Sequence, residues 1–158
     1  MPELPKKQYY WLKSSTDLLS SSKTLANASG AFSPIVLIAW QSIENGLKTL
    51  APNADIRDQK NMGHDFGKIT RYLVGNNILT DNDLTQIGPH LATASGSATY
   101  SDTKYPGDNP SYWDSLTRTQ VTNVVSAAES VHDFVLAKLE IPKKDWWDAW
   151  SGSTAKKV

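Results

Sequence analysis

The feature that most constrains this chain is the run Ser33 to Ala51, SPIVLIAWQSIENGLKTLA, the most apolar stretch of the sequence. Ser33 is placed to cap a helix through its hydroxyl, and Pro34 suits the first helical position, where no intrahelical hydrogen bond is lost. Ile35, Ile38, Ala39, Ile43, Gly46, Leu47 and Leu50 then recur at steps of three and four, the spacing of one helical face. Leu37 and Trp40 lie outside that face, so the apolar surface is wider than the ~100° stripe of a simple surface helix. A helix of this kind requires neighbours on more than one side. In its small polar remainder, Glu44 and Lys48 stand one turn apart.

The rest of the chain supplies those neighbours. Lys6 to about Ala28 reads as a first helix, in which Trp11, Leu18 and Leu25, and beside them Leu12, Leu19 and Ala26, repeat by sevens next to a serine-rich flank. Gly30 closes it, and the short turn that follows makes the first two helices antiparallel neighbours. Pro52 ends the second helix, and Asn53 to Gly63 is polar and aperiodic, the pattern of a loop. His64-Asp65-Phe66 opens a third helix carrying Phe66, Ile69, Tyr72 and Leu73 on one side, with Asp65 at its positive end. Gly75-Asn76-Asn77 stops it.

Thr80 or Asp81 caps a fourth segment with Leu84, Ile87 and Leu91, which Pro89 is expected to kink or split. Ala94 to Gly107 reads as a loop. Asn109-Pro110 then starts a long last helix to about Glu140, with Trp113, Leu116, Val121, Val124, Ala128, Val131, Val135 and Leu139 as its stripe and Pro142 as its stop. No segment reads as a strand. The expectation is an all-α, antiparallel up-and-down bundle of four to five helices over residues 6–141, followed by a Trp-rich tail, 142–158. That tail holds Trp146, Trp147 and Trp150, and either packs back on the bundle or forms a contact surface for another chain.

The 158 residues fit one domain with a real core. Lysine plus arginine and aspartate plus glutamate each number 16, a formal net charge of zero, so binding to nucleic acid requires a local patch and not bulk charge. The absence of cysteine excludes disulfides and thiolate-held metals and is compatible with a reducing cytoplasm. The N-terminus lacks an apolar core of signal-peptide length, and the run Ile35 to Trp40 is far short of the ~20 residues that span a bilayer. A cytoplasmic domain without a membrane partner is the expectation.

Candidate chemistry is sparse. Glu44 and Lys48, at i and i+4, form either a surface ion pair or the lining of a polar cleft or subunit seam. His64-Asp65 at a helix start serves an anion site or simply a cap. His90 has no sequence partner, and His132 falls on the apolar side of the last helix, where a packed or interface histidine is expected. The three histidines lack metal-site spacing, and no cofactor is indicated. Lys104-Tyr105-Pro106 joins a cation and an aromatic ring at a rigid turn, suited to hold a phosphate and stack a base or to close the bundle.

In order, SSTDLLSSSKTL, the apolar helix with Glu44-three residues-Lys48, the His64-Asp65 helix start and Lys104-Tyr105-Pro106 before the last long helix resemble the HEPN family (higher eukaryotes and prokaryotes nucleotide-binding domain) over about residues 8–140. The resemblance implies a helical bundle that commonly forms a homodimer. It further implies either a nucleotide-binding partner of a small nucleotidyltransferase, as in toxin–antitoxin or defence systems, or a metal-independent endoribonuclease. The ribonucleases of the family use arginine and histidine four to six residues apart near the last helices. This chain departs from that pattern: Lys104 stands where an arginine is expected, and Asn109, Pro110, Ser111 and Tyr112 follow with no histidine among them. Arg57 and His64 have the spacing but lie between the second and third helices.

Three functions follow as expectations. The first is a non-catalytic module binding nucleotide or nucleic-acid phosphate through Lys104, Tyr105, Lys48, Glu44 and His64. The second is a ribonuclease with His64 as acid/base, Arg57 or Lys104 as charge stabiliser and Glu44 as orienter. The third is an interaction domain, with Leu37, Trp40, Trp146, Trp147 and Trp150 as contact residues.

Overall fold

The computed structural model describes residues 3–28, 31–51, 53–54, 56–98 and 110–155. In these the regular elements are helices: α1 (Lys6–Asn27), α2 (Phe32–Thr49), α3 (Ile56–Met62), α4 (Phe66–Gly75), α5 (Asp81–Ser97), α6 (Pro110–Asp114), α7 (Arg118–Lys138) and α8 (Lys143–Ala155). The protein is a helical bundle. α2 lies at its centre, packed on α1, α7 and α4, while α5 covers another side of α7. Ile35, Val36, Ala39, Ile43 and Leu47 of α2 are almost wholly buried, which is the reason its apolar surface is so wide.

Hydrogen bonds fix how α1 and α2 meet. Gln8 Nε2 donates to the Thr49 carbonyl (3.0 Å) and Ser15 Oγ to the Ser42 carbonyl (2.8 Å), while Ser42 Oγ returns a bond to the Ser15 carbonyl (2.8 Å). Residue numbers fall on one helix as they rise on the other, so the pair is antiparallel. The serine-rich flank of α1 therefore only partly meets solvent: Ser15, Thr16 and Ser22 are fully buried, whereas Ser21 is exposed. Small side chains let the backbones approach, and their hydroxyls satisfy themselves on carbonyls. Gly46 belongs to this seam, since a Cβ there would lie 3.1 Å from Ser15 Oγ and 3.7 Å from Val135 Cγ2.

Several helix limits differ from the sequence expectation. α2 begins at Phe32 with Ala31 as its N-cap and no side-chain cap, so Ser33 is inside the first turn. Phe32 extends the helix because its ring packs against the core and under the Arg118 guanidinium, 5.8 Å from the ring centroid. Pro34 falls at the third helical position, where its missing N–H is still without consequence. The segment expected to be a loop after Pro52 contains α3. Seven residues are too few to display a helical period, and buried Met62 anchors them.

Pro89 does not split α5, which runs unbroken across it. Buried Ile87 and Ala94 on either side hold both halves of the helix, while a proline removes only one backbone donor. The expected single helix from Asn109 is two helices, because Thr117 takes an extended conformation and starts α7 afresh. Its hydroxyl accepts from the Gln120 amide (3.2 Å), and the Gln120 side chain accepts from the Thr117 amide (2.8 Å), a reciprocal capping box. Leu116 and Val121 remain buried across the break, so the apolar stripe continued where the helix did not.

Other termini follow the sequence. Asp65 caps α4 by accepting from the Lys68 amide (2.8 Å), and Thr80 caps α5 in a second capping box with Asp83. Burial alone raises the Asp83 carboxyl, but the Thr80 amide and the Lys138 ammonium (3.0 Å) outweigh it and hold the group below its ordinary value. α7 ends with Glu140 at φ 56°, as the amides of Glu140 and Ile141 bond back to the Ala137 and Leu136 carbonyls.

The tryptophan-rich segment forms α8 and lies back on α1 and α7. Trp146 is buried, donates from Nε1 to Thr16 Oγ1 (2.9 Å) and meets Tyr9 edge-on at 6.0 Å. Trp150 Nε1 donates to Asp17 Oδ1 (2.7 Å), and Trp147 packs against Trp150 and the His132 ring. Lys143 bonds Asp133 (2.7 Å), and Lys23 bonds Glu129 (2.9 Å) nearby. The aromatic mass of α8 is thus spent on its own chain.

Candidate functional site

The polar face of α2 forms one wall of an open cleft. Gln41, Glu44, Asn45 and Lys48 stand at i, i+3, i+4 and i+7, one stripe along its second half, and all four line a cleft of about 710 Å³. Trp11 of α1 borders it on one side. Gln59 and Lys60 of α3 form the facing wall, and the turn after α3 closes one end with Gly63 and His64. Gly63 stands at φ 55°, the left-handed region glycine tolerates, which allows the chain to reverse between α3 and α4. The Asp65 cap then fixes where α4 begins, and with it the place of His64.

One carboxylate oxygen organises the site. Glu44 Oε1 accepts from Lys48 Nζ (2.6 Å) and from His64 Nδ1 (2.8 Å). An ionised carboxylate only accepts, so the proton lies on Nδ1, and Nε2 carries the lone pair when the ring is neutral. The side chains of Glu44 and Lys48 are each 7% exposed, whereas that of His64 is 47% exposed. The Lys48 ammonium also lies over the Trp11 ring, 5.7 Å from its centroid, a cation–π contact. Asn45 Nδ2 donates to Ser14 Oγ (2.9 Å), which orients that carboxamide.

Of the residues singled out in the sequence, Glu44, Lys48 and His64 therefore converge. Arg57 is exposed on α3 and is not among the residues lining the cleft; Lys60, one turn further on, is. Lys104 and Tyr105 lie outside the described residues, with most of the loop expected over Ala94 to Gly107; its first residues, Ala94 to Ser97, are instead the last turn of α5, where Ala94 is buried. Trp40 and Trp146, expected as contact residues, are core residues instead. Trp40 is 3% exposed and stacks on Phe66 at 4.3 Å, joining α2 to α4. Leu37, Trp147 and Trp150 are half-buried.

Trp11 was readable only as part of an apolar seam, and Gln59 and Lys60 lay in a segment without period. The stripe 41-44-45-48 was the available signal, since four polar residues on one face of an otherwise apolar helix mark a wetted surface.

The other two histidines stand apart from this cleft. His90 borders a smaller hollow of about 320 Å³ between α5 and α7, with Gln86, Ser130 and Asp133. His132 is 1% exposed, and its Nε2 lies 2.9 Å from Thr16 Oγ1. Burial holds its imidazole down from 6.5 to about 4. Among the described residues no group of three or more histidine, aspartate or glutamate side chains is arranged for a metal, and no helix is long and apolar enough to cross a membrane. Comparison with family models, characterised proteins and solved structures gives no match for this chain.

Proposed function

We propose that this chain is a HEPN-like, non-catalytic binding module whose cleft takes a nucleotide or a nucleic-acid phosphate. The observation that carries this reading is the convergence of Lys48 and His64 on the single oxygen Glu44 Oε1 at the wall of a cleft. A buried ion pair is a poor device for stability, since desolvation offsets most of its attraction, so its position beside a cleft favours a role in binding. With Glu44 and Lys48 neutralising each other, Lys60 supplies the positive charge that an anion would meet. The order of motifs in the sequence supports the same class. In this reading the module works as a cytoplasmic homodimer beside a small nucleotidyltransferase.

Calorimetric titration with mononucleotides tests it. Binding is expected to weaken roughly ten-fold in Lys60→Ala, the loss of one charge-assisted contact, and to weaken as salt rises. Affinity unchanged by both perturbations would reject the assignment. Sedimentation at several concentrations checks the dimer.

A second reading rests on the carboxylate at His64 Nδ1, because a ring oriented in this way is what a general acid or base requires. It makes the chain a metal-independent ribonuclease. RNA cleavage in the presence of chelator, lost in His64→Ala, would favour this reading; no cleavage by the native chain would remove it.

A further inference from the structure

We infer that Trp11 is a base platform, so that the cleft takes a free mononucleotide recognised through its base and not a backbone phosphate alone. The inference rests on the phosphate-binding reading above and adds what that reading leaves open, the part of the ligand that is selected. A cleft of about 710 Å³ is sized for a small organic ligand, and a bare phosphate would leave most of it to water. Its lining includes an indole and three carboxamides, those of Gln41, Asn45 and Gln59, and among the described residues no branched aliphatic side chain. Carboxamides offer donor and acceptor side by side, the pattern that matches the edge of a nucleobase, while an indole offers the face on which a base stacks.

Trp11 is also held in place before any ligand arrives. One turn before it, Gln8 is tied to the Thr49 carbonyl, and one turn after it Ser15 is tied to the Ser42 carbonyl, both buried. The backbone that carries the indole is therefore fixed against α2 at both ends. The Lys48 ammonium, 5.7 Å from the ring centroid, holds the ring itself. Asn45 is likewise oriented by Ser14, with its amide nitrogen engaged and its carbonyl oxygen at the opposite end of the group. A stacking surface and a hydrogen-bonding edge are thus both preorganised in one cleft, which reduces the ordering that binding requires.

Calorimetry on the full chain separates this inference from its parent, using inorganic phosphate, ribose 5-phosphate and the four ribonucleoside 5′-monophosphates. At least one monophosphate nucleotide is expected to bind about ten-fold or more tightly than ribose 5-phosphate, the contribution of one stacked base. Trp11→Leu should bring that nucleotide down to the level of ribose 5-phosphate and leave ribose 5-phosphate unchanged, while Trp11→Phe should keep most of the preference.

Equal binding of nucleotide and ribose 5-phosphate by the native chain would overturn the base platform alone. So would a parallel loss of both ligands in Trp11→Leu, which would show that Trp11 only positions Lys48. Absence of binding by every compound in the series would overturn the parent reading and this one together. Trp11→Phe, which preserves an aromatic ring at the seam, keeps the comparison available if Trp11→Leu does not fold.

Discussion

His132 should make this fold lose stability in mild acid, and the size of the loss follows from its surroundings. Thr16 Oγ1 donates to the Leu12 carbonyl (2.8 Å), so toward its other neighbours it accepts: from Trp146 Nε1–H and from His132 Nε2–H, each at 2.9 Å. The ring is thereby fixed as the Nε2–H tautomer, and its buried Nδ1 has no hydrogen-bond partner among the described residues. Protonation would place a hydrogen and a charge on that atom, buried without an acceptor. Burial dominates the balance; Asp133 and Glu129 favour the cation, Lys143 and Lys23 oppose it, and the group is held at about 4.

The sign follows from which state binds the proton. Above the unfolded value of 6.5 both states are neutral and His132 contributes nothing to pH dependence. Below it the unfolded chain gains a proton that the folded chain refuses until about pH 4, so stability falls across that window. From about pH 7.5 to about pH 4.5 the loss is ~2.5 kcal/mol, at about 1.4 kcal/mol for each pH unit over which only the unfolded chain is protonated. For a chain of this length that corresponds to a fall in Tm of roughly 5–10 °C.

Carboxylates of the unfolded chain begin to take up protons in the lower part of the window as well, Glu129 among them, whose folded value is held lower by the Lys23 hydrogen bond. The measurement is therefore a difference: urea unfolding of the native chain and of His132→Leu across the window. The variant's own stability is immaterial; its pH slope should be shallower by ~2.5 kcal/mol over that range. Equal slopes would refute the reasoning.

The same node predicts that Thr16→Val, which keeps shape and removes the acceptor, leaves two buried donors without a partner and destabilises by about 2–4 kcal/mol in urea unfolding. Trp146→Phe, which removes one of those donors, should recover part of that loss in the Thr16→Val background. At the α1–α2 seam, Gly46→Ala should destabilise by about 1 kcal/mol despite its gain in helix propensity, because Ser15 Oγ is held by Ser42 where the new methyl must sit. A double-mutant cycle with Ser15→Ala should remove that cost. Glu140→Gly should stabilise by about 1 kcal/mol, since Glu140 holds a left-handed conformation at the end of α7 that glycine adopts without a Cβ clash. Thermal unfolding checks it, and a lowered Tm would show that the Glu140 side chain matters more than its backbone.

Much of the fold was legible because long helices with a buried face repeat their apolar residues visibly. α1, α2 and α4 follow their patterns, and Thr80 and Asp65 cap where short polar side chains precede an apolar run. What escaped the sequence has local causes. The break at Thr117 is invisible to a periodicity argument, because Leu116 and Val121 stay on the core side of it. α3 is shorter than two helical repeats. Ser15 of α1 is buried through a reciprocal pair of bonds with Ser42 of α2, a pairing that exists only once the helices meet.

The cleft was half legible for the same reason. Its α2 wall is a stripe on one helix, while Trp11, Gln59 and Lys60 come to it through tertiary contacts that no spacing encodes.

α1 connects the two polar constructions of the molecule. Trp11 faces the cleft, and little more than a turn later Thr16 and Asp17 receive the indole N–H groups of Trp146 and Trp150. Between them Ser15 locks the same helix to α2, which carries Glu44 and Lys48. An ionised pair near the end of α2 is costly to desolvate, and it stays in register with Trp11 only while α1 and α2 keep their separation. Reciprocal serine bonds and the close approach at Gly46 set that separation. Among its described residues the helix α8 contributes no side chain to the cleft; its three tryptophans instead pack on α1 and α7. The bundle thus assigns its most hydrophobic terminal segment to holding one wall of a cleft whose other walls are polar.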